Sequence, residues 1–138
     1  MKIGIIGSMH LTVDMYEIQK ELFNLGHDSY LSGLAKYFVG KTDKEKEEIK
    51  IYQKNNEDAI REYWNLMQEG DAVLAVNKTR KGIENYIGGN TFLELGFAHV
   101  LNQQIYLFNP IPEIDFYKTE IEAMKPIVIN GDLSLIWE

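Results

Sequence analysis

Asp71-Ala72-Val73-Leu74-Ala75-Val76-Asn77 decides the fold. Its unbroken apolar run reads as a strand buried on both faces, the pattern of a parallel sheet. The periodic segment Thr91 to Asn102 reads as a helix. What joins the two is therefore the loop at a strand's carboxyl end, the edge where open α/β sheets bind ligands.

Outward from that strand, strand and helix signals alternate along the chain. Lys2 to Gly7, Asp28 to Leu31, Gln104 to Asn109 and Pro126 to Asn130 read as strands. Leu11 to Leu25, Thr42 to Gln68 and Asp115 to Met124 read as helices. The pattern predicts one α/β domain over residues 1–138, a flavodoxin-like or Rossmann-like three-layer sandwich. Its five-stranded parallel sheet should run in the order 2-1-3-4-5, with helices on both faces.

Composition narrows the function. With 138 residues, 45% hydrophobic content and three prolines, the chain has material for one core. A formal charge of −7 and a pI near 5.0 argue against a nucleic-acid polymer as partner, because phosphate backbones are gripped mainly by Lys and Arg. A single nucleotide is compatible. Zero cysteines exclude disulfides, thiolate metal sites and cysteine nucleophiles. His10, His27 and His99 lack metal-site spacing and read as ordinary surface or core histidines, so neither metal nor cofactor is expected. Without a signal pattern or a membrane-length apolar run, the expected location is the cytoplasm, away from membranes.

Ile87-Gly88-Gly89-Asn90-Thr91-Phe92-Leu93-Glu94-Leu95-Gly96 is the candidate site. Gly88 and Gly89 let backbone approach a ligand closely. Glu94 would lie near a helix amino terminus, whose free N–H groups and partial positive charge should keep it ionised. Thr91-x-x-Glu94 is equally a capping box, in which Glu94 only closes its own helix start, unless Asn90 is the cap. Spacing leaves both open. Gly7 and Ser8, ending the first strand, offer N–H groups and a hydroxyl to a phosphate or sugar oxygen, or form an ordinary capped turn. Asn77 should face the same cleft.

The long connection 78–89 suggests a lid or a mobile surface loop, with Arg80 and Lys81 to attract an anion and Tyr86 to stack on a base. On the predicted helix 42–68, Ile49, Ile60, Tyr63, Trp64 and Met67 share the inward stripe, together with polar Gln53 and Asn56 near the sheet's carboxyl edge. These two amides would reach a ligand or bond a loop. Asp58 and Glu62 should point to solvent, and the charge run 41–50 reads as a solvated face.

Asp71 to Asn77, the segment Gly89-Asn-Thr-Phe-Leu-Glu94-Leu-Gly-Phe-Ala-His-Val-Leu-Asn102, and Gln104-Ile-Tyr-Leu-Phe108 resemble the nucleoside 2-deoxyribosyltransferase family and its nucleotide-hydrolase relatives over about half the chain. The resemblance implies that Glu94 is the nucleophile and that Gly7 and Ser8 meet the sugar or its 5′-phosphate. It also implies a homodimer or higher homo-oligomer whose sites a neighbour completes. Relatives often carry an Asp where this chain has Tyr63, and an Asp or Ser where it has Gly88, so the usual acid is missing. The activity implied is transfer or hydrolysis at the N-glycosidic bond of a nucleoside or nucleoside 5′-monophosphate. The alternative is a non-catalytic nucleotide-binding or sensing module. Gly7, Ser8, Asn56, Asn77, Tyr86, Gly88, Gly89 and Asn90 are the expected binding residues around Glu94.

Overall fold

The decisive strand, β3 (Ala72–Ala75), is fully buried, and its position explains why its sequence is apolar at every residue. The computed structural model of the chain describes residues 1–137. β3 pairs in parallel with β1 (Lys2–Ile6) on one side and β4 (Gln104–Leu107) on the other, Ile3 facing Ala72 and Ala72 facing Gln104. β2 (Asp28–Tyr30) and β5 (Ile127–Val128) complete the edges. The order is β2-β1-β3-β4-β5, all parallel, as the alternating pattern predicts.

The pleat divides the strand residues between two cores. Ile3, Ile5, Ala72, Leu74 and Tyr106 face α1 (Thr12–Asn24), which offers Met15, Ile18 and Leu22 at helical spacing, and the carboxyl-terminal Leu133 and Ile136. Ile6, Val73, Ala75, Ile105 and Leu107 face the other way. There they meet α3 (Ala59–Met67), α4 (Gly89–Val100) and α5 (Lys118–Ala123). Three layers result. No helix among the described residues is long and apolar enough to cross a membrane.

The predicted helix 42–68 is two helices. α2 (Asp43–Asn56) ends at Glu57, and Asp58 takes a left-handed φ of 47° before α3 begins. At 1.5 Å per residue, an unbroken helix of that span would be about 40 Å long, far beyond strands of four or five residues. Asn55-Asn56-Glu57-Asp58 is a run of mostly weak helix formers where the chain bends. The bend alters the expected inward stripe. Tyr63 and Met67 enter the core, Ile49 and Trp64 are half-buried, and Ile60 is 40% exposed. Asp58 lies at the surface beside Arg61, as the wheel requires. The helix expected over 115–124 is also shorter, because residues 115–117 form a turn ahead of α5.

Tyr63 fixes α3 to the sheet: its hydroxyl donates to the Ile5 carbonyl at 2.9 Å. That approach requires a glycine beneath it. A Cβ at Gly4 would lie 2.7 Å from the Tyr30 Oη and 3.0 Å from the Tyr63 Oη. Gly4→Ala is therefore expected to destabilise the fold by about 1–3 kcal/mol, the usual cost of overpacking. A urea midpoint equal to wild type would show that the two tyrosines are not held where they stand.

Candidate active site

α4 starts two residues earlier than the sequence suggests, and the shift changes the chemistry. Gly88 is the N-cap, with no side-chain cap, and Gly89 the first helical residue. Thr91 is thus inside the helix, so the capping box does not form. The N–H groups of Gly88, Gly89, Asn90 and Thr91 have no partner among the described residues, and the first bonded one is Phe92, to the Gly88 carbonyl at 2.9 Å. Four unpaired donors and the positive end of the helix dipole face one cleft.

That cleft, about 150 Å³, brings together Gly7, Ser8, Tyr86, Gly88, Gly89 and Asn90, six of the expected binding residues. Arg80 and Lys81 join them as anticipated from the connection 78–89. Arg80 Nη1 donates to Ser8 Oγ at 3.3 Å, and Ser8 Oγ also accepts from the His10 N–H at 3.2 Å. Lys50 and Lys54 from α2 complete the wall, so the charge run is more than a solvated face. Their i,i+4 spacing, which puts both ammonium groups on one helix face, was the available signal.

α2 is placed by His10. Its side chain is 6% exposed, and its two ring nitrogens lie 3.2 Å from Asp43 Oδ1 and 2.8 Å from Glu47 Oε1. Lys50 first, then His10, hold the Glu47 carboxyl down to about 2. His10 is therefore a structural tie between the β1 turn and α2, a role its isolated position in sequence does not disclose.

Glu94 is the sixth residue of α4 and 8% exposed. Its carboxyl has no hydrogen-bond partner among the described residues. It closes a cavity of about 40 Å³ next to the cleft, sharing Met9, Lys50, Lys54 and Asn90 with it. Burial, then the nearby Glu62 charge, pushes its pKa up to about 8. The expectation that the helix terminus keeps it ionised is overturned. The free N–H groups sit at the first turn while Glu94 sits in the second, and the dipole's effect fades over that distance whereas desolvation does not. Glu62 itself does not point to solvent: it accepts from Ser32 Oγ at 2.6 Å and the Gly33 N–H at 3.2 Å. Tyr30 beside this cluster is pushed up to about 12, by burial and then by Glu94.

Two expected binding residues lie elsewhere. Asn56 is exposed, and its amide donates to the Tyr52 carbonyl at 3.0 Å, on a different face of α2 from Lys50 and Lys54, which line the cleft. Gln53, by contrast, lines the Glu94 cavity while donating to the Leu34 carbonyl at 3.2 Å. Asn77 is buried and its amide is consumed. It donates to the carbonyls of Asn109 at 2.8 Å and Pro110 at 3.1 Å and accepts from the Asn109 N–H at 2.8 Å. No described group of three or more His, Cys, Asp or Glu is arranged to hold a metal.

No protein-family model, curated protein or solved structure matches the chain. The site therefore rests on its own geometry: a cationic cleft at a helix start, opening beside a buried, unpaired carboxyl group.

Two outcomes follow for stability. The folded Glu94 binds its proton more tightly than the usual carboxylate value of 4.5 allows, so its contribution is fullest below that value and is lost as pH rises toward 8. At about 1.4 kcal/mol per unit, the loss is on the order of 5 kcal/mol. Glu94→Gln removes it, and the variant's melting temperature should exceed wild type by more at about pH 8.5 than at about pH 5. A pH-independent difference would show that Glu94 is not buried as described. Asn77→Ala leaves the Asn109 N–H unpaired and should cost about 1–3 kcal/mol in urea denaturation. No loss would mean the two loops are held otherwise.

Proposed function

We propose that the protein transfers or hydrolyses the N-glycosidic bond of a nucleoside or nucleoside 5′-monophosphate, a 2′-deoxy one by preference, with Glu94 as nucleophile. The observation that carries this reading is a carboxyl group without a hydrogen-bond partner, buried at the floor of a cavity that adjoins an anion-binding cleft. Unpaired buried polar groups are costly, and functional sites are where folds retain them.

In this mechanism the ionised Glu94 attacks C1′ while the bond to the base nitrogen breaks through an oxocarbenium-like transition state. The electron pair leaves with the base, which takes its proton from water. Water or a second base then releases the sugar from the carboxylate, giving hydrolysis or transfer. Among the described residues Glu94 is the only carboxylate lining its cavity, and the mechanism assigns no second carboxylic acid there. A positioned acid is typically worth 10²- to 10⁴-fold, and a slow enzyme is the expected consequence. Small-molecule recognition in the cytoplasm and assembly with a second copy belong to the same proposal. Exposed Ile60, Leu93 and Val100 on α3 and α4 offer that copy an apolar surface.

A second reading, binding or sensing without turnover, is favoured by the cavity's size. About 40 Å³ has room for water but not for a furanose ring. Catalysis requires α2 to swing outward, and α2 is suited to that because Gln53 is its one buried residue.

Chromatographic assay of base release or exchange across deoxynucleosides and their monophosphates separates the readings. The nucleophile must be ionised, so kcat/KM should rise with pH up to about 8, the value to which burial and Glu62 push Glu94. Glu62→Gln should shift that rise to lower pH, and Glu94→Ala should abolish turnover. Activity that falls through the same range would make Glu94 a proton donor instead. No turnover across the panel, with ligand bound, would leave the sensing module.

A further inference from the structure

We infer that the cleft at the start of α4 takes a pyrophosphate group, free or esterified to a nucleoside, in preference to a single phosphate. Two separate sets of donors converge on it. One is the unpaired N–H groups of Gly88 to Thr91 at the positive end of α4. With them stands the Thr91 hydroxyl, on a residue 4% exposed that lines the cleft and has no hydrogen-bond partner among the described residues. The other is the β1 turn, where the N–H groups of Ser8 and Met9 have no partner among the described residues and Arg80 reaches Ser8 Oγ. Two cradles in one cavity of about 150 Å³ suit two linked phosphates.

Charge points the same way. Among the described residues Lys54, Arg80 and Lys81 line the cleft without a carboxylate partner, and Lys50 shares Glu47 at 2.7 Å. Nearby cations that do not line it are occupied: Lys78 pairs with Asp14 at 3.3 Å, and Lys46 Nζ donates to the His10 carbonyl at 3.3 Å. A phosphate monoester carries about −1.5 to −2 at neutral pH. It would leave at least one cation and the helix end unanswered, and a second phosphate supplies the missing charge. In a chain of net charge −7, four cations around one cavity make a local field opposite to that of the whole molecule, which concentrates polyanions there.

The inference extends the proposed function to the phosphate end of the substrate. It rests on that reading only for what the pyrophosphate is attached to, and its test reads binding alone. Calorimetric titration of the full chain at low ionic strength would use inorganic phosphate, inorganic pyrophosphate, and a nucleoside 5′-mono- and 5′-diphosphate. Pyrophosphate should bind at least about tenfold tighter than phosphate, and the diphosphate should exceed the monophosphate by a similar factor. Lys54→Ala and Thr91→Val should each weaken pyrophosphate binding about fivefold or more, and Lys20→Ala, on the far side of the sheet, should not. Equal affinity for phosphate and pyrophosphate, or binding indifferent to Lys54 and Thr91, would overturn the inference, as would no binding. Tighter binding of the diphosphate than of inorganic pyrophosphate identifies an ester as ligand, and the reverse identifies free pyrophosphate. Binding with no base release by wild type would sink the glycosidic reading while leaving this one standing.

Discussion

The paired amides of Asn77 and Asn109 are the constraint on which the site depends. Asn77 exchanges bonds with Asn109 in both directions, so the chains leaving β3 and β4 are held side by side just beyond the sheet. The loop that follows Asn109 is thereby aimed back toward α4, where the Tyr117 hydroxyl donates to the Ile87 carbonyl and its ring stacks on Phe92 with centroids 4.3 Å apart. Ile87, immediately before the cap, is buried in the same core. The start of α4 is fixed in consequence, and with it the orientation of its four unpaired N–H groups.

What this scaffold holds in place is unfavourable without a ligand. Glu94 is buried without a partner, and the N–H groups at the start of α4 open onto the cleft with no partner among the described residues. Desolvation of the Glu94 carboxyl is the cost that the fold carries. The fold sustains this because β1, β3 and β4 are buried on both faces and α1, α3 and α4 supply apolar residues at regular spacing. Binding an anion at the cleft would satisfy the donors and offset the mutual repulsion of the lysines. α2 follows a different logic: a capping box at Thr42 and Glu45 starts it, and polar contacts from His10 and Gln53 retain it, with little apolar burial. An element held in this way opens more readily than one held by a core.

The sheet was legible in the sequence because buried strands leave apolar runs with few alternatives, and the order 2-1-3-4-5 follows from right-handed crossovers between them. The cleft was legible where glycines and short polar residues end a strand, at Gly7 and Ser8, or open a helix, at Gly88, Gly89 and Asn90. Elsewhere local pattern misled. The wheel for residues 42–68 assumed one straight axis, but the chain bends at Asp58, Asn56 is exposed and Glu62 meets Ser32. Asn77 read as a cleft residue because its strand ends there, yet its partner is 32 residues away in sequence. The ionisation of Glu94 also escaped, since burial and a neighbouring carboxylate are tertiary facts. Lys50 and Lys54 lay within view as an i,i+4 pair, but their sequence neighbours Glu47 and Glu48 make the run look self-neutralising.

The covalent bond proposed between Glu94 and a sugar is open to mass spectrometry of protein quenched during incubation with deoxynucleosides and deoxynucleotides. A nucleophilic Glu94 should give a mass gain equal to the deoxyribosyl group or its phosphate, located on the peptide that contains Glu94 and absent from Glu94→Gln. Base release from protein that stays unmodified throughout turnover, or an adduct on another residue, would contradict it.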